Sequence, residues 1–268
     1  MVNLKDIELY ILDMDGTIYL GRDLIKGAKD FIKHLDKVNK KYIFLTNNSS
    51  KNADDYQKKL KNLGIEAKRK EIVTSGEVTA YYLKNKYGLK DKNIYVVGTN
   101  SLKKEFEKLG FNIVGDKEER VDCVVLGFDT TLTYHKLWDA HDLIREGCDY
   151  IATNPDLICP LEEGKSMPDC GSIAKLLEAS AGQLPFVVGK PNRLMVDYIS
   201  DRYKIDKDRI AMVGDRLYTD MKMAKDANII AILVLSGETK KEDLDGNKAL
   251  KPDFVMSDIE ELLKEIRS

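Results

Sequence analysis

LYILDMDGT, from Leu9 to Thr17, passes from four apolar residues to two carboxylates, a glycine and a threonine. The apolar run has the length and composition of a strand, and its polar tail falls at the strand's carboxyl end. The same transition recurs along the chain, in FLTNNSS at Thr46–Ser50, VVGKP at Gly189–Pro191 and MVGDRLYTD at Gly214–Asp220. Ligands of open α/β sheets bind outside the carboxyl ends of the strands, so four such tails are expected to converge on a site.

Around these segments, short β-rich runs alternate with segments of helical period from end to end, which predicts an α/β fold with a mainly parallel sheet. The expected strands are Leu9–Leu12, Tyr42–Thr46, Ile94–Val97, Cys123–Leu126, Tyr150–Ala152, Phe186–Val188, Ile210–Val213 and Ile230–Leu235. Helices are expected near Gly27–Val38, Ala53–Leu63, Glu77–Tyr87, Leu102–Leu109, Tyr134–Glu146, Ile173–Ala181, Pro191–Arg202 and Asp220–Ala227, with Pro191 suited to a first helical position.

Composition narrows the class. The 268 residues suffice for one large domain or two modest ones, and 43% hydrophobic with 33% charged residues describes a folded, water-compatible chain. A net charge of −2 supplies no bulk field for nucleic acid or an anionic membrane, so any bound anion must be held locally. Cys123, Cys148, Cys159 and Cys170 form no C-x-x-C pair and have no His at zinc-finger spacing. Four free thiols, and no uninterrupted apolar core in the first ten residues, lead to the expectation of a cytoplasmic protein. The longest apolar stretch, Ile229 to Leu235, is a buried strand and far too short to span a bilayer. Lys58–Lys59 and Glu118–Glu119–Arg120 read as solvated faces, and His34, His135 and His141 as surface or packing residues. Met212, Met221 and Met223 read as core filler, and Trp138 as packed on its helix.

The four tails hold complementary chemistry. Asp13 could attack an electrophile while Asp15 donates a proton to a leaving oxygen. Two close carboxylates repel unless a cation shares the site, and Mg²⁺, which takes one or two carboxylates and keeps several waters, meets that need. Asp215 is a further carboxylate for it, Thr46 and Asn47 offer anion donors, and Lys190 adds a fixed positive charge. Nucleophile, acid, metal site, donors and cation together are the equipment of phosphoryl transfer. Taken singly, DMDGT fits a turn, TNNSS an ordinary loop and cap, and Lys190 a surface lysine; their joint occurrence, each after a strand, favours the catalytic reading.

DMDGT, TNNSS, the lysine of GKP and GDRLYTD resemble the four motifs of the haloacid dehalogenase superfamily, in the branch of nitrophenyl-phosphatase and NagD-type phosphatases. The resemblance covers essentially the whole chain and implies a Rossmann-like core with an inserted α/β cap domain. It implies Asp13 as nucleophile and Asp15 as general acid, with Mg²⁺ held by Asp13, the Asp15 backbone carbonyl and Asp215. It further implies phosphate binding by Thr46, Asn47, Asn48 and Lys190, and Asp220 as a carboxylate orienting the metal ligands or the lysine. The implied activity is a Mg²⁺-dependent phosphomonoesterase for a small phosphorylated metabolite, through an aspartyl phosphate. A phosphotransferase or phosphomutase on the same core, and a non-catalytic phosphometabolite-binding regulator, are the alternatives. The oligomeric state is open, a homodimer being one state it allows.

Between Thr46 and Lys190 the chain is far longer than one βα crossover needs. A cap is therefore expected at residues 82–184, leaving residues 1–81 and 185–268 as a discontinuous core. Within the insert, Asn154 follows a strand and Asp169 precedes a helix, and both resemble cap segments that face the active site. Each equally fits a local role, an Asx-turn at Asn154 and an N-cap at Asp169 or Ser172. Where the vitamin B6 phosphate phosphatases of this branch carry a His, this sequence has Cys159, which argues against that substrate. Gly98–Thr99–Asn100 reads as a strand-to-helix turn rather than a second anion site.

Overall fold

The computed structural model describes residues 3–88, 92–115, 117, 120–161, 164–244 and 250–268. Its strands, in chain order, are β1 (Leu9–Asp13), β2 (Lys41–Thr46), β3 (Ile72–Thr74), β4 (Asn93–Val97), β5 (Asn112–Val114), β6 (Cys123–Leu126), β7 (Asp149–Ala152), β8 (Phe186–Val187), β9 (Ile210–Gly214), β10 (Ile230–Val234) and β11 (Phe254–Met256). The helices are α1 (Ala28–Lys37), α2 (Ala53–Asn62), α3 (Ser75–Tyr87), α4 (Asn100–Lys108), α5 (Tyr134–Arg145), α6 (Cys170–Ala181), α7 (Leu194–Tyr203), α8 (Lys222–Ala227) and α9 (Ile259–Arg267). Short antiparallel ribbons pair Tyr19–Leu20 with Asp23–Leu24 and Ile158–Pro160 with Ser166–Pro168.

The chain divides into two compact units. The first comprises Met1–Thr46, Tyr56–Val73 and Lys190–Ser268. Its six-stranded sheet has the order β11-β10-β9-β1-β2-β3, and β1, β9 and β10 are buried along their whole lengths. Such strands, covered on both faces, carry continuous apolar runs, which is why LYIL and IAILV read as they do. The register sets Asp13 opposite Leu45 and Leu12 opposite Val213 in parallel pairs. Thr46 and Gly214, the last residues of β2 and β9, are thereby brought alongside the end of β1.

The second unit comprises Asn47–Asp55 and Thr74–Gly189. It therefore takes in the segment after β2 and residues 75–81 of α3, which fall in the core under the expectation of a cap at 82–184, a boundary that cuts through that helix. Its five-stranded sheet, in the order β8-β7-β6-β4-β5, is parallel throughout. Tyr95, Leu126, Phe128, Leu143, Ile144, Ile173 and Leu177 build its core. Thr74, Thr99, Thr133 and Asp169 cap α3, α4, α5 and α6 through side-chain oxygens that accept backbone N–H groups. Thr99 thus holds a helix start, as a plain turn would have it.

The structure corrects several sequence expectations. Helix α7 starts at Leu194 rather than Pro191, which lies in the preceding turn after a cis peptide bond. A π-helical turn, Leu217–Met221, holds Asp220 ahead of α8. Trp138 is exposed, with the Lys117 ammonium 5.2 Å from the centroid of its ring, instead of being packed away. Met212, Met221 and Met223 are all core residues. Glu118 and Glu119 lie outside the described residues. Among the described residues no helix is long and apolar enough to cross a membrane.

Candidate active site

Asp13 ends β1, and Lys190 follows the second unit's last residue back into the first. The Lys190 ammonium is buried between two carboxylates, paired with Asp13 Oδ1 and 2.7 Å from Asp220 Oδ1. Asp220 Oδ2 also accepts the Arg216 amide N–H at 3.2 Å, so both of its oxygens are engaged. Asp215 differs from it. Its Oδ2 accepts the Glu238 amide N–H at 2.7 Å, whereas its Oδ1 is buried with no hydrogen-bond partner. Oxygens of Asp13, Asp215 and Asp220 lie within 4.8 Å of one another.

Burial shapes the electrostatics of this cluster. Burial raises the Asp13 carboxyl well above the usual range, Lys190 opposes the shift, and the neighbouring Asp220 and Asp215 charges reinforce it. Asp215 is pushed up to about 6 by burial and by Asp220, against the Glu238 N–H, Arg216 and Lys190. For Lys190 burial works toward the neutral amine, but Asp13 and Asp220 more than offset it and hold the ammonium above its ordinary value. Arg216 pairs with Glu238 at 2.9 Å and also acts on Asp13 and Asp215, so four carboxylates share one ammonium and one guanidinium. The excess of carboxylates over cations, and the unpartnered Asp215 Oδ1, fit a hard divalent cation with oxygen ligands.

Asp15 lies just beyond β1 with its side chain half exposed. Gly16, at φ +88°, turns the chain there, and its N–H donates to the Tyr19 carbonyl at 2.8 Å. The Tyr19 hydroxyl donates to Asp15 Oδ2 at 3.2 Å. Burial, and next the Asp15 charge, push the Tyr19 hydroxyl well above its usual range, so it stays a donor. Thr46 is buried at the end of β2.

The remaining sequence-derived residues belong to the second unit, where the structure brings them together. Asn47 is buried; its carbonyl accepts from Asn154 Nδ2 and from Ser75 Oγ, each at 2.7 Å, and its Nδ2 donates to Asp156 Oδ2 at 3.0 Å. Asn48 Nδ2 faces Cys159 Sγ at 3.9 Å, while Asn48 Oδ1 accepts from Ser50 N at 3.1 Å and Ser50 Oγ at 2.7 Å. Asn154 is fully buried, with Oδ1 unpartnered. Asp169 is buried and caps α6, its Oδ1 accepting from Cys170 N at 2.5 Å and from Asn154 Nδ2 at 3.4 Å.

Sequence reasoning missed five participants of the first unit, Tyr19 beside Asp15 among them. Ser236 Oγ donates to the Gly16 carbonyl at 2.7 Å, and Gly237 and Glu238 pack against Asp215. These residues form a fifth polar tail, after β10, so the signal that exposed the other four was present there too. Lys59, read as part of a solvated face, lies over the Tyr19 ring and beside Asp15. Nothing in its local sequence marks it, because the contact depends on how α2 lies beside the loop after β1.

Comparison with known proteins agrees with this architecture. A family model described as haloacid dehalogenase-like hydrolase matches residues 10–112, and a HAD-hydrolase-like model matches residues 187–262. The chain is 36% identical to an acid sugar phosphatase of Staphylococcus haemolyticus, covering 98% of both chains. It is 35% identical to the chloroplastic phosphoglycolate phosphatase 1A of Arabidopsis thaliana, covering 97% of this chain and 77% of the relative. Among solved structures, a 4-nitrophenylphosphatase from Thermotoga maritima superposes with a TM-score of 0.92 at 50% identity, over 98% of both chains. A magnesium complex of a glycerol phosphate phosphatase from Mycobacterium tuberculosis gives 0.89 at 30% identity, over 96% of this chain and 76% of that one. The chain belongs to the haloacid dehalogenase-like hydrolases, in the branch of the nitrophenyl and NagD-like phosphatases. It is a phosphatase.

Proposed function

We propose that the protein is a Mg²⁺-dependent phosphomonoesterase that hydrolyses a small phosphorylated metabolite through a covalent phosphate on Asp13. The observation that carries this reading is the buried, unpartnered Asp215 Oδ1 beside Asp13 and Asp220, in a cluster whose charge a divalent cation would balance. Asp13, the Asp15 backbone carbonyl and Asp215 would hold the ion, while Asp220, with both oxygens engaged, orients Lys190. When bound, Mg²⁺ supplies charge neutralisation for phosphoryl oxygens and for Asp13.

In the first step an Asp13 oxygen forms a bond to phosphorus as the bond from phosphorus to the ester oxygen breaks. Asp15, protonated, gives its proton to that departing oxygen and becomes a carboxylate. In the second step Asp15 takes a proton from water as the water oxygen bonds phosphorus and the Asp13–phosphorus linkage breaks. Products are inorganic phosphate and free Asp13, with Asp15 reprotonated for the next turn. Lys190, Thr46, Asn47 and Asn48 would hold the phosphoryl oxygens, and Asn154, Cys159 and Asp169 would meet or shape the leaving group. The substrates named for its relatives, acid sugar phosphates, phosphoglycolate and glycerol phosphate, define the class to screen. The four free cysteines suit a reducing cytoplasm.

The test is phosphate release from a phosphometabolite panel and from nitrophenyl phosphate, with Mg²⁺, with Ca²⁺ and with excess chelator. Chelator should silence the enzyme, and Ca²⁺ should inhibit because its looser coordination misplaces the nucleophile. Asp13→Asn should abolish turnover in a folded protein, since an amide cannot form the acyl phosphate. Full activity in chelator, or only a few-fold loss in Asp13→Asn, would overturn the reading. Transfer of the phosphate to acceptor sugars instead of water would establish the transferase alternative.

A further inference from the structure

Asp15 sits in a loop with its side chain half exposed, a setting in which a carboxylate would ordinarily sample several rotamers. Here both of its oxygens have partners. Oδ2 accepts the Tyr19 hydroxyl hydrogen at 3.2 Å, and Oδ1 faces Lys59 Nζ at 3.8 Å. The two partners also hold each other, the Lys59 ammonium lying 3.6 Å from the centroid of the Tyr19 ring. Asp15, Tyr19 and Lys59 thus form a closed triangle in which every pair is in contact.

Two corners belong to the loop after β1 and the third to α2. Tyr19 is fully buried, its carbonyl accepts from the Gly16 N–H at 2.8 Å, and its own N–H donates to the Met14 carbonyl at 3.1 Å. Lys59 projects from α2. A cation over an aromatic face within about 6 Å is attracted to the ring, so the aromatic holds the ammonium on the carboxylate side of the loop. A half-exposed ion pair at 3.8 Å adds little stability, so its consequence lies in orientation.

We infer that Tyr19 and Lys59 are positioning residues that fix the rotation of the Asp15 carboxylate for its proton transfers. The inference rests on the reading of Asp15 as general acid and base. Tyr19 tethers one oxygen by a hydrogen bond. Lys59 keeps the other in place at a distance too long for a hydrogen bond, so that oxygen stays available to carry the proton. Loss of either partner frees the carboxylate to rotate, and the penalty falls on reactions that need the proton most.

The experiment measures kcat/KM, which covers the steps through departure of the leaving group, for nitrophenyl phosphate and for glycerol phosphate as an alkyl ester. The proteins are wild type, Asp15→Asn, Tyr19→Phe, Lys59→Gln, Lys59→Arg and the Tyr19→Phe/Lys59→Gln pair, at saturating Mg²⁺, with thermal melts to verify folding. Asp15→Asn should lower the alkyl-to-nitrophenyl ratio by about 10²–10⁴-fold, the range of general acid catalysis. Tyr19→Phe, which keeps the ring beneath Lys59, and Lys59→Gln should each lower it about tenfold, a partial misalignment of the same group. The double variant should lose less than the product of the two, and Lys59→Arg should recover most of the ratio. A structural role alone would depress both substrates equally. Equal loss, or no loss, in Tyr19→Phe and Lys59→Gln while Asp15→Asn shows the bias would overturn the positioning role and leave the acid assignment standing. Absence of the bias in Asp15→Asn itself would overturn the acid assignment and the positioning role with it.

Discussion

Lys190 and Asp220 are paired at 2.7 Å where neither group meets solvent, and Asp220 hands its second oxygen to the Arg216 amide. Removing one member of a buried pair typically costs about 3–5 kcal/mol, because the survivor is left charged and unpaired. Lys190 keeps Asp13 as a partner, so Asp220→Ala should fall near ~3 kcal/mol in urea unfolding. Lys190→Met should be worse in the metal-free protein, since it leaves three carboxylates without their ammonium. The combined Lys190→Met/Asp220→Leu variant should cost less than the two added together. Additivity within about 0.5 kcal/mol would mean that the pair is not coupled.

Asp215 is packed against two glycines. A Cβ at Gly16 would lie 2.7 Å from Asp215 Cγ, and one at Gly237 would lie 2.7 Å from Asp215 Cβ. Gly16 also carries φ +88°, so Gly16→Ala adds backbone strain, whereas Gly237→Ala tests the contact alone. Gly237→Ala should raise the Mg²⁺ concentration for half-maximal activity by displacing the Asp215 carboxylate, with a smaller effect on activity at saturating Mg²⁺. An Mg²⁺ titration of activity checks this. An unchanged midpoint would argue against Asp215 as a ligand or against the contact as its constraint.

Two donors converge on the Asn47 carbonyl, one from Asn154 and one from Ser75. Asn154→Ala removes one donor from a buried acceptor that retains the other, so the stability loss should be about 1 kcal/mol. If Asn47 binds phosphate, the larger effect should be a raised inhibition constant for inorganic phosphate, measured by competition against nitrophenyl phosphate. Unaltered phosphate inhibition would reduce Asn154 to a packing residue.

Burial pushes the Cys123 and Cys170 thiols up to about 12 from an ordinary value of 9.0. The folded state holds these protons more tightly than the unfolded chain does. Their stabilising contribution is therefore complete below about pH 9 and is lost as pH rises toward 12. Unfolding midpoints should decline across that window, and Cys170→Ala should decline less steeply than the wild type. At pH 8 a thiol reagent should modify Cys148 and Cys159, which are partly exposed, well before the buried pair.

The strands were legible because a continuous apolar run that stops abruptly at polar residues is the mark of a strand buried on both faces of a parallel sheet. The first-unit residues Asp13, Asp215 and Asp220 could be read for the same reason, each lying within a few residues of such an ending, whereas Lys190 follows β8, a short edge strand that is only partly buried. Elements with weaker signals escaped: β3, β5 and β11 are three residues long, and α9 lies beyond the last motif. Asp169 was ambiguous, because one carboxylate before a helix serves equally as a cap or as a contact, and the fold uses it as the cap. Lys59 could not be found at all, since its contact with Asp15 spans two elements with no common pattern.

The central strand of the first unit, β1, has its two neighbours at opposite ends of the gene. It pairs with β2 on one side and with β9 on the other, with Leu9 opposite Lys41 and also opposite Ile210. On the ribosome the β2 edge can close early, but the β9 edge stays bare until the whole inserted unit has emerged. The inserted unit is contiguous from Thr74 to Gly189 and so can complete its sheet during that interval. A nascent chain stalled before residue 210 would present an apolar, unsatisfied strand edge, the feature that invites mispairing and chaperone capture. It would also lack Asp215, so under the proposed metal-site reading no chain could begin turnover before residue 215 had been made.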